Sequence, residues 1–88
     1  MLNPIQGTQF KKDVKLCQKR NKDMVKLKKL MLLLIEEKPL PAEYKDHPLK
    51  NNWRAHRDSH IEPDWLLIYK IDGKDIYFVR TGTHSDLF

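Results

Sequence analysis

Imidazole, guanidinium, carboxylate and aromatic side chains gather in the second half of this 88-residue chain, on segments separated in sequence. His47 lies in Asp46-His47-Pro48-Leu49. His60, Asp64 and Trp65 lie in Arg57-Asp58-Ser59-His60-Ile61-Glu62-Pro63-Asp64-Trp65, and Arg80, His84 and Phe88 in Arg80-Thr81-Gly82-Thr83-His84-Ser85-Asp86-Leu87-Phe88. An imidazole exchanges protons near neutral pH. A guanidinium grips two phosphate oxygens at once, and an aromatic ring stacks on an unpaired base. These abilities suit scission of RNA by its own 2′-hydroxyl. That reaction needs a base for the hydroxyl proton, an acid for the departing 5′-oxygen and positive charge for the transition state.

Each residue also has a plainer role to weigh. A lone histidine is more often a surface or hydrogen-bonded residue than a catalyst. Trp65 suits a core as well as a stacking site, Phe88 suits a docked terminus, and Trp53 is expected mainly to pack. Asp64 either orients a histidine or caps the turn after Pro63. A metal centre of histidines and Asp64 would lack the usual His-x-Glu, His-Glu-x-x-His or Cys-x-x-Cys spacing, and Arg80 alongside would repel a divalent cation. No metal and no cofactor is therefore expected.

The elements that position these groups follow from periodicity. One domain, residues 1–88, is all that this length supports, with a small core. Asn3 to Gly7 is a short edge strand, since Pro4 cannot serve a central ladder. Thr8 is placed to cap a helix in which Phe10, Val14 and Cys17 share one face. Asp23 caps a second helix with Leu27, Leu30, Met31 and Leu34 on its apolar face, widened by Met24, Val25, Leu33 and Ile35. The short connection makes an antiparallel helical hairpin. Pro39 and Pro41 end it, and Pro41 to Tyr44 form one further turn. Arg54 to His60 and Trp65 to Tyr69 read as strands, and Asp72-Gly73 turns the second back into Ile76 to Arg80. Helices first and then a meander of about three strands make an α+β domain.

Pairing across that turn would set Arg80 near the start of the Trp65 strand, beside Asp64 and Trp65. His60 shortly precedes that strand and His84 shortly follows Arg80, so these residues can meet at one end of the sheet. His47 lies in a loop that pattern alone does not place.

Composition narrows the partners. Lys and Arg number 17 against 12 Asp and Glu, a net charge of +5 with a pI near 9.4, which favours polyanions or an acidic protein. The lysines of the two helices could track phosphates or simply form a solvated face. The single cysteine, Cys17, precludes an intramolecular disulfide and suits a small core position in a reducing compartment. Met1 to Ile5 carries no signal pattern, and the run Leu30 to Ile35 is too short to cross a bilayer. A cytoplasmic protein without membrane contact is expected.

The ordered set Tyr44 to Leu49, Trp53, Arg57 to Tyr69 and Arg80 to Phe88, extended by Lys12 to Leu16 and Asp23 to Lys28, resembles the YafQ branch of the RelE superfamily, toxins of bacterial type II toxin–antitoxin pairs. The resemblance spans nearly the whole chain. It implies a RelE-like fold, with an N-terminal helical hairpin packed on a twisted antiparallel sheet. It implies a metal-independent mRNA endoribonuclease acting in the A site of the 70S ribosome, leaving a 2′,3′-cyclic phosphate, with preference for A-rich lysine codons. Carried over by position, the family's site falls on His47, His60, Asp64, Arg80 and His84 as catalytic residues, with Trp65 and Phe88 holding RNA. It further implies a DinJ-like antitoxin in a heterotetramer that reaches promoter DNA through the antitoxin. The alternative is a basic RNA- or ribosome-binding module of the same fold without catalysis.

Overall fold

In the computed structural model, which describes residues Met1–Phe88, an edge strand precedes a pair of helices, four further strands follow, and a short third α-helix closes the order. β1 (Asn3–Gln6) leads into α1 (Thr8–Lys19) and α2 (Met24–Ile35). After a 3-10 turn at Ala42–Tyr44 come β2 (His47–Pro48), a second such turn at Asn51–Trp53, β3 (Arg57–Glu62), β4 (Trp65–Asp72), β5 (Asp75–Gly82) and α3 (His84–Leu87).

The helix ends have local causes. Asp23 caps α2 as expected, accepting from the Val25 amide at 3.0 Å. Thr8 does not cap α1; Gly7 holds the cap position and Thr8 is the first helical residue. Both helices stop in a left-handed residue, Asn21 at φ 59° and Glu37 at φ 57°. The two closures match: Lys22 N–H reaches Cys17 O at 3.0 Å, and Lys38 N–H reaches Leu33 O at 3.0 Å. This satisfies carbonyls that the helix end would otherwise orphan. α2 therefore ends before Pro39 acts on it.

The sheet order is β1-β5-β4-β3-β2. It is mixed rather than purely antiparallel, because β1 runs parallel to β5 at the edge, where Pro4 is tolerated. The strand expected at Arg54 to His60 begins only at Arg57, because positive φ at Asn51 and Ala55 keeps the preceding segment in turns. The β4–β5 turn holds positive φ at Gly73 alone among its central residues, the pattern of a type II′ hairpin.

β4 is buried on both faces. Trp65, Leu67 and Tyr69 join Ile76 and Phe78 of β5 and, from the helices, Phe10, Cys17, Leu27, Leu30 and Leu34. On the opposite face Leu66 and Ile68 pack with Leu87 of α3 and the partly buried Leu49, Trp53 and Val79. Val25, expected to widen the apolar face of α2, is instead 73% exposed. Burial raises the Cys17 thiol above its usual range, as suits a core residue.

Candidate active site

Directly opposed residues of antiparallel strands share a face of the sheet. His47 of β2 pairs with Asp58 of β3, which pairs with Ile68 of β4; His60 pairs with Leu66. His47, Asp58 and His60 therefore stand on the face that α3 covers, away from α1 and α2. α3 brings His84 to the same place, since Leu87 packs on Leu66 and Ile68. The rings form a row, with centroids 6.1 Å apart for His47 and His60 and 5.7 Å for His60 and His84.

Each imidazole has a distinct setting. His84 is half exposed, and its Nδ1 lies 2.6 Å from Asp64 Oδ1, which also accepts the His84 backbone amide at 2.9 Å. Those two contacts hold the Asp64 carboxyl below its ordinary range, the backbone bond counting most. With Nδ1 engaged, Nε2 of His84 has no hydrogen-bond partner within the chain. His60 is the least exposed of the three. His47 Nδ1 lies 2.8 Å from the Lys45 carbonyl and 3.1 Å from Asp58 Oδ1. Asp58 Oδ1 is also 3.9 Å from His60 Nε2, is buried and receives no hydrogen bond. Burial raises the Asp58 carboxyl, opposed by attraction from His47 and His60.

What places His47 is Asp46, whose network sequence reasoning missed. Its carboxylate accepts from Arg57 Nε at 2.7 Å and from the Ser59 and Tyr69 hydroxyls. These bonds tie a two-residue strand containing a proline to β3 and β4. Burial, aided by Asp46, raises the Tyr69 hydroxyl, which stays protonated and donating.

Arg80 does not sit beside Asp64 and Trp65. A bulge between Ile68 and Tyr69 shifts the register, so that Arg80 pairs with Ile68. Its guanidinium is held by Asp13 of α1, Nε to Oδ2 at 2.7 Å, and the same carboxylate takes the Thr81 amide at 3.1 Å. Asp13, a buried acid on a helix read as apolar and lysine-rich, gave no local signal of this role. Trp65 is 0% exposed, with Nε1 donating to Thr81 Oγ1 at 3.0 Å. Its ring belongs to the core and offers no stacking face in this structure, contrary to expectation. Phe88 is 61% exposed, and its ring meets that of Trp53 edge-on at 6.3 Å. His56, the remaining histidine, lies against Trp53 at 5.4 Å. A cleft of about 490 Å³ opens beside His60, with Lys26, Lys29 and Lys45 and also Glu43 and Glu62 on its walls. Of these lysines Lys26 is paired with Glu62 at 3.0 Å. No helix is long and apolar enough to cross a membrane.

Comparison with known proteins bears on this site. A sequence profile of the family described as "Bacterial toxin of type II toxin-antitoxin system, YafQ" matches residues 3–88. The mRNA interferase toxin YafQ of Escherichia coli strain B / BL21-DE3 is 64% identical over 81 residues, covering 91% of this chain and 88% of that protein. A chain in the crystal structure of the E. coli DinJ–YafQ complex is 58% identical and superposes with a TM-score of 0.94, over 100% of this chain and 99% of that one. A crystal structure of a metal-bound toxin from Helicobacter pylori, 40% identical, superposes with a TM-score of 0.93 over 100% of both chains. With a profile match over residues 3–88 and a closely superposing fold, the chain belongs to the YafQ family of bacterial type II toxin–antitoxin toxins.

Proposed function

We propose that this toxin is an mRNA endoribonuclease that cuts by imidazole acid/base catalysis without a catalytic metal. The observation that carries the reading is the row of His47, His60 and His84 along one face, with Asp64 on Nδ1 of His84 at 2.6 Å. A base among these rings takes the 2′-hydroxyl proton, and the 2′-oxygen bonds to phosphorus. The phosphorus–5′-oxygen bond breaks as an acid protonates the leaving oxygen, giving a 2′,3′-cyclic phosphate and a 5′-hydroxyl. His84 carries the principal acid/base role. Asp64 holds its tautomer, and His60 and His47 contact the scissile ribose and phosphate. Arg80 stabilises the transition-state charge by turning part of its donor fork from Asp13 to phosphate. Phe88, with Trp53 behind it, stacks on the displaced base; Trp65 supports the sheet beneath the site.

The substrate is mRNA in the ribosomal A site, with A-rich lysine codons preferred. The E. coli relative is named an mRNA interferase, and Lys29 and Lys45 in the cleft beside His60 suit contacts to an RNA backbone. The E. coli DinJ–YafQ complex supports a DinJ-like antitoxin partner. The assembly we propose is a cytoplasmic heterotetramer that binds promoter DNA through the antitoxin.

Induced expression of the chain and of His84→Ala in a bacterial host tests this. Growth arrest and transcript cleavage are expected from the first and not from the second. Equal arrest and equal cleavage would overturn the role of His84, and arrest with no cleavage from either would favour the non-catalytic ribosome-binding module.

A further inference from the structure

We propose that the cleft beside His60 holds one nucleotide of the RNA next to the scissile bond. It selects a base that carries an amino group, adenine, cytosine or guanine, over uracil, with Glu43 as the residue that reads it. The inference rests on the endoribonuclease reading and adds where the RNA is read and by what chemistry.

Three segments wall the cleft, whose volume of about 490 Å³ falls within the roughly 300–1,000 Å³ of small-molecule sites. Lys29 comes from α2, Glu43, Tyr44 and Lys45 from the 3-10 turn and the residue after it, and Ile61 and Pro63 from the end of β3 and beyond. The register of β3 on β4 shifts between His60 and Glu62, a bulge of the kind that re-aims side chains beside reacting groups. His60 belongs both to this lining and to the imidazole row, its ring 6.1 Å from that of His47 and 5.7 Å from that of His84. A nucleotide in the cleft is therefore a neighbour of the bond that the row cuts.

The charges in the cleft decide what it holds. Lys26 and Lys22 lie 3.0 and 3.7 Å from the Glu62 carboxylate, which is thereby paired. Lys29, Lys45 and Glu43 are exposed and enter no salt bridge. Two free ammonium groups suit a phosphate. Glu43 does not, because an ionised carboxylate only accepts and a phosphodiester has no proton to give. A carboxylate beside two phosphate-seeking groups calls for a donor on the same ligand. Adenine, cytosine and guanine each present an exocyclic amino group on the edge that an unpaired base leaves open. Uracil presents there a single N–H between two carbonyl oxygens, which repel a carboxylate. Tyr44 supplies a second polar group. It is 9% exposed, and its hydroxyl makes no hydrogen bond within the chain. Asp58 Oδ1 is the sole buried side-chain atom without a partner, so the Tyr44 hydroxyl opens to the cleft and not to the core. Ile61 and Pro63 offer apolar surface to the base.

Titrating the isotope-labelled chain with adenosine, purine riboside and uridine 5′-monophosphates, followed by its amide signals, tests the subsite without cleavage. Purine riboside differs from adenosine only in lacking the amino group. The signals of Glu43, Tyr44, Lys45 and Ile61 are expected to move, and the adenosine nucleotide to bind at least roughly threefold tighter than the other two. Glu43→Ala, a change on an exposed turn, should abolish that difference by weakening the adenosine nucleotide alone. Movement confined to signals around His84 and Phe88, no movement, or no preference for the amino group would overturn the subsite. An equal loss for all three nucleotides in Glu43→Ala would overturn the base reading, since it would place Glu43 on the ribose hydroxyls. On ribosome-bound mRNA, purine riboside in place of single adenosines around the cut should slow wild-type cleavage roughly tenfold at one position. At that position Glu43→Ala should be slowed no further by the replacement. A wild-type rate indifferent to every replacement would overturn the selection. A chain that never cleaves would sink the endoribonuclease reading, while the titration alone still decides the subsite.

Discussion

Asp58 carries a charge into a place where one of its oxygens has no donor. Its carboxyl is raised by burial; His47 of β2, His60 of β3 and His84 of α3 oppose that rise, and Asp46 adds to it. A carboxyl whose folded pKa is raised costs stability wherever it is ionised. The cost is present above the folded pKa and vanishes as pH falls below the unfolded value, near 3.9. Asp58→Asn should therefore raise the thermal midpoint at pH 7, with the gain shrinking toward pH 4 in melts followed by circular dichroism. Asp64 presents the opposite case, an exposed acid kept ionised by His84. Asp64→Asn should lower kcat roughly 10- to 100-fold with little change in KM, since it loosens His84 and not the RNA. These roles were unevenly legible. Residue type marked His47, His60 and His84, because few side chains exchange protons near neutrality. Nothing local marked Asp58 or Asp13, whose partners lie on other elements and become neighbours only through the register of the sheet.

At the scale of elements, α3 is the piece that brings His84 to the other rings. It has only four residues, so local helix propensity cannot hold it. Its support is a capping box in which Thr83 and Asp86 bond reciprocally, with Arg20 of α1 bonded to Asp86 at 2.7 Å. Arg20 and the Thr83 amide hold the Asp86 carboxyl down to about 2. Because that folded pKa is depressed, the stabilisation is complete above the unfolded carboxylate range and is lost as pH falls through about 2. Gly82 matters for space, not looseness: a Cβ there would stand 2.9 Å from Asp86 Oδ2 and 3.1 Å from its Cβ. Gly82→Ala should therefore displace α3 and reduce cleavage at least tenfold, while the amide spectrum of β3 to β5 stays native. A normal rate in that variant would show that His84 does not depend on this packing. The hairpin of β4 and β5 was legible from its apolar runs and the Asp72-Gly73 pair. Its bulge was not, and Arg80 was misplaced because counting from the turn sets it opposite the middle of β4, at Ile68, and not at the start of that strand. Two-residue β2 was illegible for a similar reason, its position being set by the bonds of Asp46 to Arg57, Ser59 and Tyr69.

Over the whole molecule, a net charge of +5 gives attraction to RNA that needs no sequence readout and weakens with salt. The cleft at His60 gives that attraction a place, since Lys29 and Lys45 line it without ion-pair partners among the salt bridges found, whereas Lys26 is tied to Glu62. The double change Lys29→Ala with Lys45→Ala should weaken single-stranded RNA binding and flatten the salt dependence, by about 1.4 in the log–log slope for two lost phosphate contacts. The central claim is metal-free scission by the histidine face. It is tested most directly by cleaving defined mRNA on ribosomes, with Mg²⁺ held constant and a chelator selective for transition metals in excess, and identifying the new ends across a pH series. The account predicts an undiminished rate, a 2′,3′-cyclic phosphate with a 5′-hydroxyl, and a bell-shaped pH profile from one group that must accept a proton and one that must donate it. Loss of cleavage with the transition-metal chelator, or fragments ending in a 5′-phosphate, would contradict it.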